Sequence, residues 1–469
     1  MKNQYNKLTF YVLLCTLSGL ISCKKFVGVS PPITQLVTAT VFNNSGAATS
    51  AVTNIYQQMY SNNESYNMAL QTGYLGDELT NYSTLGFYIQ TYKNSMTANG
   101  TTFGPWTNAY NYIYQANAVI EGLQNNAKIN LKIQNQLTGE AKFIRAFWFF
   151  YLTNCYGDVP LVTSTNYKVN ASIVRSDKNL VYQQIIIDLK DAQRLLDSNY
   201  VDASDTTSTS ERIRPNKWAA TALLARAYLY NKDYTNAEKQ AGLVIGNTTM
   251  FSLVQDLNSV FLSNSPEAIL QLGVPLPNYY DTPDGYYFIL QGPPGDLQHQ
   301  SISPQLLSAF EPGDMRKVDW IGSYTTTDGS NKTYYFPYKY KVYNSTAITE
   351  FNMLLRLSEQ YLIRAEAEAN GAGQGIDGAI KDLNSIRKRA GLLNYGGLAT
   401  KDSVLVAILR ERKVELFTEW GHRWFDMIRT GNINNIMGEP GNVCQSKGGT
   451  WSANWALFPI PQSERVKDP

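Results

Sequence analysis

The chain has 469 residues, enough for two or three average domains or for one large helical array with insertions. Its 40 Lys and Arg nearly balance 38 Asp and Glu, so there is no basic field to hold a polyphosphate, which argues against nucleic acid as a partner. Tyrosine occurs 32 times against 18 phenylalanines, a usage that suits many half-buried rings with one wet edge.

Residues 1–22 read as a lipoprotein signal peptide. Lys2 and Lys7 supply a positive start, Leu8 to Ile21 is largely apolar, and Leu20-Ile21-Ser22-Cys23 is similar to a bacterial lipobox, in which the cysteine is lipidated. The alternative is an ordinary signal peptide with an incidental Cys23. Several acyl chains, at about 0.8 kcal/mol per buried methylene, would anchor the mature protein stably. Residues 23–36 then form a tether, with Pro31 and Pro32 holding it extended.

The remainder, 37–469, is expected to be one helical domain. Asn43 or Ser45 can cap a helix through Met59, with Ala51, Ile55 and Met59 spaced by four. From about 61 to 104 that spacing is lost, and Tyr82, Phe87, Tyr88 and Tyr92 lie in an Asn/Thr/Ser-rich background that reads as irregular. Pro105 opens a helix carrying Trp106, Tyr110, Ile113 and Ile120. The stretch Gly139 to Val162 is apolar on two interleaved stripes, Phe143/Phe147/Phe150 and Ile144/Trp148/Tyr151, and stops at Gly157 and Pro160, so it predicts a helix buried inside a bundle.

Helices follow over Leu180–Leu196, Trp218–Tyr230 and Tyr234–Ile245. An alanine-rich helix, a tight Lys232-Asp233 turn and a second helix with Ala237 and Ala241 have the pattern of a tetratricopeptide-like pair. From about 249 to 350 the period disappears again among Gly, Pro and aromatic residues, and so long a break in a compact domain is usually functional. Helical spacing returns over Met353–Ala369, Ile376–Ala390 and Asp402–Trp420, and Leu457 to Pro461 reads as an extended strap. Cys155 and Cys444 alone remain for a disulfide, which the sequence leaves open.

Five stretches carry a resemblance: GEAKFIRAFWFFYLTNCYGDVPLV, WAATALLARAYLYNKDYTNA, LLRLSEQYLIRAEAEAN, LRERKVELFTEWGHRWFDMIRTG and LFPIP with Gln462. With the lipobox and FVGVSPP, their order resembles the SusD/RagB family of Bacteroidetes outer-membrane lipoproteins. The resemblance implies an all-α fold of tetratricopeptide-like helical pairs with irregular, loop-rich insertions. It also implies an outer-membrane position facing the cell exterior, a SusC-like TonB-dependent transporter as partner, capture of an oligosaccharide or polysaccharide, and no enzymatic activity or cofactor. Peptide capture by the same fold is the second reading, and glycoside hydrolysis the third. Lys24 and Lys25 depart from the acidic residues that often follow the cysteine in surface-displayed members.

Glu415, Glu419, His422, Arg423, Asp426 and Arg429 form the constellation most like a metal or acid–base site, but with two histidines in the chain, mutual ion pairing with Arg410 and Arg412 is the favoured reading. Asp77 with Glu78, or Asp284 with Asp296, offers the two carboxylates of a hydrolase and reads more simply as loop chemistry. In Glu311-Pro312-Gly313-Asp314-Met315-Arg316, an Asp314–Arg316 pair is expected to fix the turn. Sugar capture needs flat aromatic faces and polar groups that reach hydroxyls. The candidates are Tyr279, Tyr280, Tyr286, Tyr287 and Trp320 from the second insertion, with Tyr82, Tyr88 and Tyr92 from the first. Any one of them can instead be core, because insertions need cores of their own.

Overall fold

Helix follows helix wherever the sequence supplies an apolar face and a cap. The computed structural model describes residues 41–100, 104–276 and 280–466, so the signal peptide, the tether with Cys23, and Tyr279 lie outside the described residues. In chain order the elements used below are α1 Ser45–Ser61, α2 Glu64–Leu75, β1 Leu79–Asn81, α3 Gly86–Tyr92, α4 Trp106–Leu123, α5 Leu131–Tyr156, β2 Val159–Pro160, β3 Arg175–Ser176, α6 Lys178–Leu195, α7 Lys217–Tyr230 and α8 Tyr234–Ile245. Then come β4 Ala268–Leu272, α9 Pro283–Phe288, β5 Gln300–Ile302, β6 Ile321–Thr325, β7 Thr333–Pro337, β8 Asn352–Arg356, α10 Leu357–Ala369, α11 Gly375–Arg389, α12 Lys401–Glu415 and α13 His422–Arg429.

Caps set the starts of the early helices. Asn44 accepts from the Ala47 amide at 3.2 Å, Asn130 from Lys132 at 2.8 Å, and Asn216 from both Trp218 and Ala219 at 3.0 Å. At the far end of α5, Gly157 turns at φ 77° and stops the helix. From Phe143 to Tyr156 every residue of α5 is buried, as a helix apolar all round requires. Its two buried charges near the middle are matched in place: Arg145 holds Asp188 of α6 at 2.6 and 2.8 Å, and Glu140 takes Arg214 at 2.5 Å.

Helices pack on one another in succession, α4 on α5, α5 on α6, α7 on α8, α8 on α10 and α10 on α11. In α7 the alanines at 219, 220, 222, 225 and 227 are all buried, which lets helix axes approach closely on both sides. The architecture is all-α, with tetratricopeptide-like pairing and, among the described residues, only short two-stranded pairings of strands. The described residues from Phe42 onward cluster as one compact unit. Cys155 and Cys444 are both buried and free, so they do not pair.

Three readings of the sequence differ from the structure. Glu64–Leu75 is a helix within the stretch expected to be irregular; its polar residues Gln71 and Thr72 are buried too, which hides the usual two-faced spacing. Met353–Arg356 is strand, pairing antiparallel with β4, and the helix begins only at Leu357. A short apolar run fits a buried strand or a buried helix equally, and here the pairing decides. The last long helix ends at Glu415 because Lys339 donates to the Glu415 and Phe417 carbonyls, each at 2.8 Å, and Arg356 to Glu415 at 2.7 Å. Buried cations at a helix C-terminus satisfy its last carbonyls and its dipole. Trp420 and Gly421 then turn at φ 45° and 75° before α13.

Candidate ligand-binding site

Strand β1 of the first insertion pairs antiparallel with β5 of the second, Leu79 opposite Ile302 and Asn81 opposite Gln300. The ladder is extended at both ends: the Tyr82 amide donates to His299 at 2.8 Å, and the Ser303 amide to Glu78 at 2.9 Å. Two segments more than two hundred residues apart thereby present their tyrosines side by side.

On the second insertion, Thr282 caps the short helix α9 by accepting from the Gly285 amide at 3.0 Å, and Pro283 fixes its first turn. Asp284 points inward to Asn352 at 2.8 Å and Ser65 at 3.3 Å, and burial pushes its carboxyl up to about 7. Gly285 has no room for a side chain, because a Cβ would meet the Val342 carbonyl at 2.4 Å. So anchored, α9 turns Tyr286 and Tyr287 outward, both half-buried.

Tyr286 stacks on Tyr280 at 4.7 Å and on Tyr343 at 5.1 Å, with planes 21° and 11° apart, and Tyr280 continues to Tyr60 at 6.3 Å. Tyr287 stands edge-on to Tyr286 and stacks on Tyr66 of α2 at 4.6 Å. Around Tyr66 and Tyr74 the same cluster takes in Tyr88 and Tyr92 of the first insertion. Tyr88 lies 4.0 Å from the ring of His299, whose Nδ1 shares a 2.7 Å hydrogen bond with the Tyr74 hydroxyl. Burial lowers His299 to about 4, so this imidazole stays neutral at ordinary pH. Tyr82 meets Tyr334 edge-to-face at 5.5 Å, with Lys332 over the Tyr334 ring at 4.8 Å.

Six of the eight aromatic residues expected at a ligand site, Tyr82, Tyr88, Tyr92, Tyr280, Tyr286 and Tyr287, thus lie half-buried in one connected region, while Tyr279 lies outside the described residues. Trp320 does not belong with them. Its indole is fully buried, its Nε1 donates to the Leu257 carbonyl at 2.9 Å, and it packs with Phe261, Met353 and Phe417 in the core of the second insertion. That placement removes Trp320 from the ligand-facing set. Tyr343 and Tyr334 join this tyrosine region and were missed by sequence reasoning, while Tyr60 is buried beneath Tyr280; nothing in their spacing separates them from the other tyrosines, and only the ring contacts do.

The charged residues are buried scaffold. Arg356 pairs with Glu267, Glu415 and Glu419, and Arg316 with Asp314, Glu411 and Glu415. Burial alone would raise Glu415, but Arg389, Arg356 and Arg316 hold it well below the usual carboxylate range. Arg412 and Arg429 likewise lower Asp426 against its burial. Glu419 faces Arg356 and Lys339, whereas His422 faces Glu359 at 3.9 Å, so these two do not converge on a common point. Arg410 stays exposed, 4.0 Å from Glu311.

Asp77 is locked to Arg423 and Lys413 at 2.8 and 2.9 Å, which pull it low despite burial. Glu78 beside it is raised to about 8 by burial and by Asp77. Both are fixed beneath the surface rather than facing each other across a cleft, and of the other carboxylate pair Asp284 is buried while Asp296 is exposed. The Lys447 ammonium closes the end of α2 by donating to the Tyr74, Leu75 and Gly76 carbonyls at 2.8, 2.9 and 3.0 Å.

Two family models match the chain. One, described as starch-binding and associating with the outer membrane, covers residues 25–229, and the SusD family model covers 314–469, together most of the sequence. The chain belongs to the SusD/RagB family. Among SusD-like relatives, protein P2 of Formosa agariphila is 26% identical over 98% of this chain and 97% of its own length. A SusD-like protein of Bacteroides ovatus is 25% identical over 69% of this chain and 65% of its own. The fold is shared with a SusD superfamily protein from Bacteroides vulgatus (TM-score 0.79, 21% identity, 92% of this chain and 98% of that one). It is shared also with a laminarin-binding SusD-like protein (0.69, 21%, 90% and 97%) and with surface glycan-binding protein A from Bacteroides uniformis (0.74, 17%, 91% and 98%).

Proposed function

We propose that this SusD/RagB family member is a non-catalytic glycan-capture lipoprotein. It holds an oligosaccharide against the tyrosine platform and delivers it to a SusC-like TonB-dependent transporter, anchored through Cys23 on the outer face of the outer membrane. The observation that carries the reading is the platform itself: stacked, half-buried rings of the second insertion beside half-buried tyrosines of the first, the two insertions joined by the β1–β5 ladder, so the rings are ordered before a ligand arrives. Pre-ordered flat faces suit the C–H surfaces of pyranose rings, since little entropy is left to lose on binding. An open platform also suits a chain that extends past the protein at both ends. The glycan-binding names carried by relatives of the same fold support it.

The experiment is a screen of the purified chain against neutral and acidic glycans and against peptides, followed by calorimetry and product analysis on the best ligand. Tight binding of a glycan without new reducing ends is expected, and a Tyr286→Ala variant should bind about tenfold more weakly, as loss of one stacked ring implies. Capture of peptides alone, or release of cleaved sugar, would overturn the reading.

A further inference from the structure

A cavity of about 1370 Å³ opens elsewhere on the molecule, between the first turn of α4, the end of α5, the segment leading through Ile173 into β3, and the C-terminal strap. Small-molecule sites occupy about 300–1,000 Å³, so this volume suits a short oligomer rather than a single small ligand.

Several features of its wall define a chemistry. Tyr110 and Trp455 line it and are only half-buried, so each keeps part of an aromatic face available. Tyr156 and Phe458, both buried, form its floor.

The remaining features concern charge. Arg175 and Arg465 line the cavity, are exposed, and form no ion pair among the described residues. Glu464 is the single carboxylate among the described residues of the wall. The first turn of α4, an 18-residue helix, has no side-chain cap, and its residues Trp106 and Thr107 bring the positive end of the helix dipole to the cavity. The wall is therefore electropositive and aromatic at once.

We propose that this groove is a second binding site, separate from the tyrosine platform, for an acidic oligosaccharide. Its uronate carboxylates pair with Arg175 and Arg465, and its rings pack on Tyr110 and Trp455. Guanidinium forks match carboxylates in two parallel hydrogen bonds, which gives the site its preference for acid over neutral sugar. A peptide strand fits less well. The bordering strands β2 and β3 are two residues long and already pair with each other, so no run of free backbone is offered for a strand to join.

The test is calorimetric titration of the full-length chain with oligogalacturonate, with a neutral glucan oligomer of equal length, and with hexaglutamate. The expected result is galacturonate binding that weakens with added salt and falls at least tenfold in the Arg175→Gln/Arg465→Gln double variant. Both arginines are exposed, so the melting temperature should hold. Trp455→Ala should also weaken binding, and Tyr286→Ala on the platform should leave it unchanged, which separates this site from the proposed capture site. Four results would overturn the proposal: no galacturonate binding, binding indifferent to the double substitution, loss of binding in Tyr286→Ala, or binding of hexaglutamate without galacturonate.

Discussion

Tyr286 and Trp320 show how two aromatic side chains of the same insertion come to opposite uses. Tyr286 lies between two parallel rings, half open to water; Trp320 is enclosed on all sides with its one donor used. Truncating Trp320 to alanine should cost about 3–5 kcal/mol of stability, the usual loss for a large buried ring, and should be read as a drop in denaturation midpoint. Tyr286→Ala should lower that midpoint less, by about 0.5–1.5 kcal/mol for each stacked pair it breaks, while weakening glycan binding. If both variants lose stability equally, Tyr286 is core as well. Composition cannot make this distinction, because both residues sit in the same Gly- and Pro-rich background. What decides it is which face of a two-turn helix or a tight turn each side chain takes.

Helix α9 is the element on which the platform turns, and its buried anchor titrates. Asp284 ionises near its ordinary value in the unfolded chain but only near 7 in the fold, since burial disfavours the charge. Between those values the folded chain holds the extra proton, so this group's contribution to stability is complete at low pH and is lost as pH rises through about 7. Asp284→Asn removes the titration and keeps the shape. The melting temperature of the variant relative to the parent should therefore be more favourable at pH 7.5 than at pH 4.5; an equal difference at both would refute the assignment.

Elements of the repeat kind were readable from spacing because their apolar stripes and Asn or Asp caps are local. Strands β1, β5 and β8 were not, because each is short and is decided by a partner far along the chain. The two insertions were visible as losses of helical spacing, and their joining into one platform was not, since no residue of β1 carries a mark that points to β5.

For the molecule as a whole, a buried ionic lattice joins segments from much of the second half of the chain. Arg356 reaches Glu267 before β4, Glu415 at the end of α12, and Glu419 in the turn beyond it. Arg356→Met would leave three carboxylates facing an apolar side chain, and a loss of about 3–5 kcal/mol is expected in chemical denaturation. A loss under about 1 kcal/mol would show the lattice to be dispensable. The charges themselves were legible as a pairing constellation near the C-terminus, whereas their partners Glu267 and Arg356 were hidden among unpatterned sequence. At the same scale, Cys23→Ala should shift the protein from the membrane to the soluble fraction; unchanged membrane association would exclude that cysteine as the anchor.

The ion pairs of Asp77 reach further than any helix. They tie the segment that begins β1 to Lys413 and Arg423, 336 and 346 residues later. A chain ending before Lys413 lacks both cations that hold Asp77 beside β1, so firm seating of the segment that leads to Tyr82 is expected only once the C-terminal helices are present.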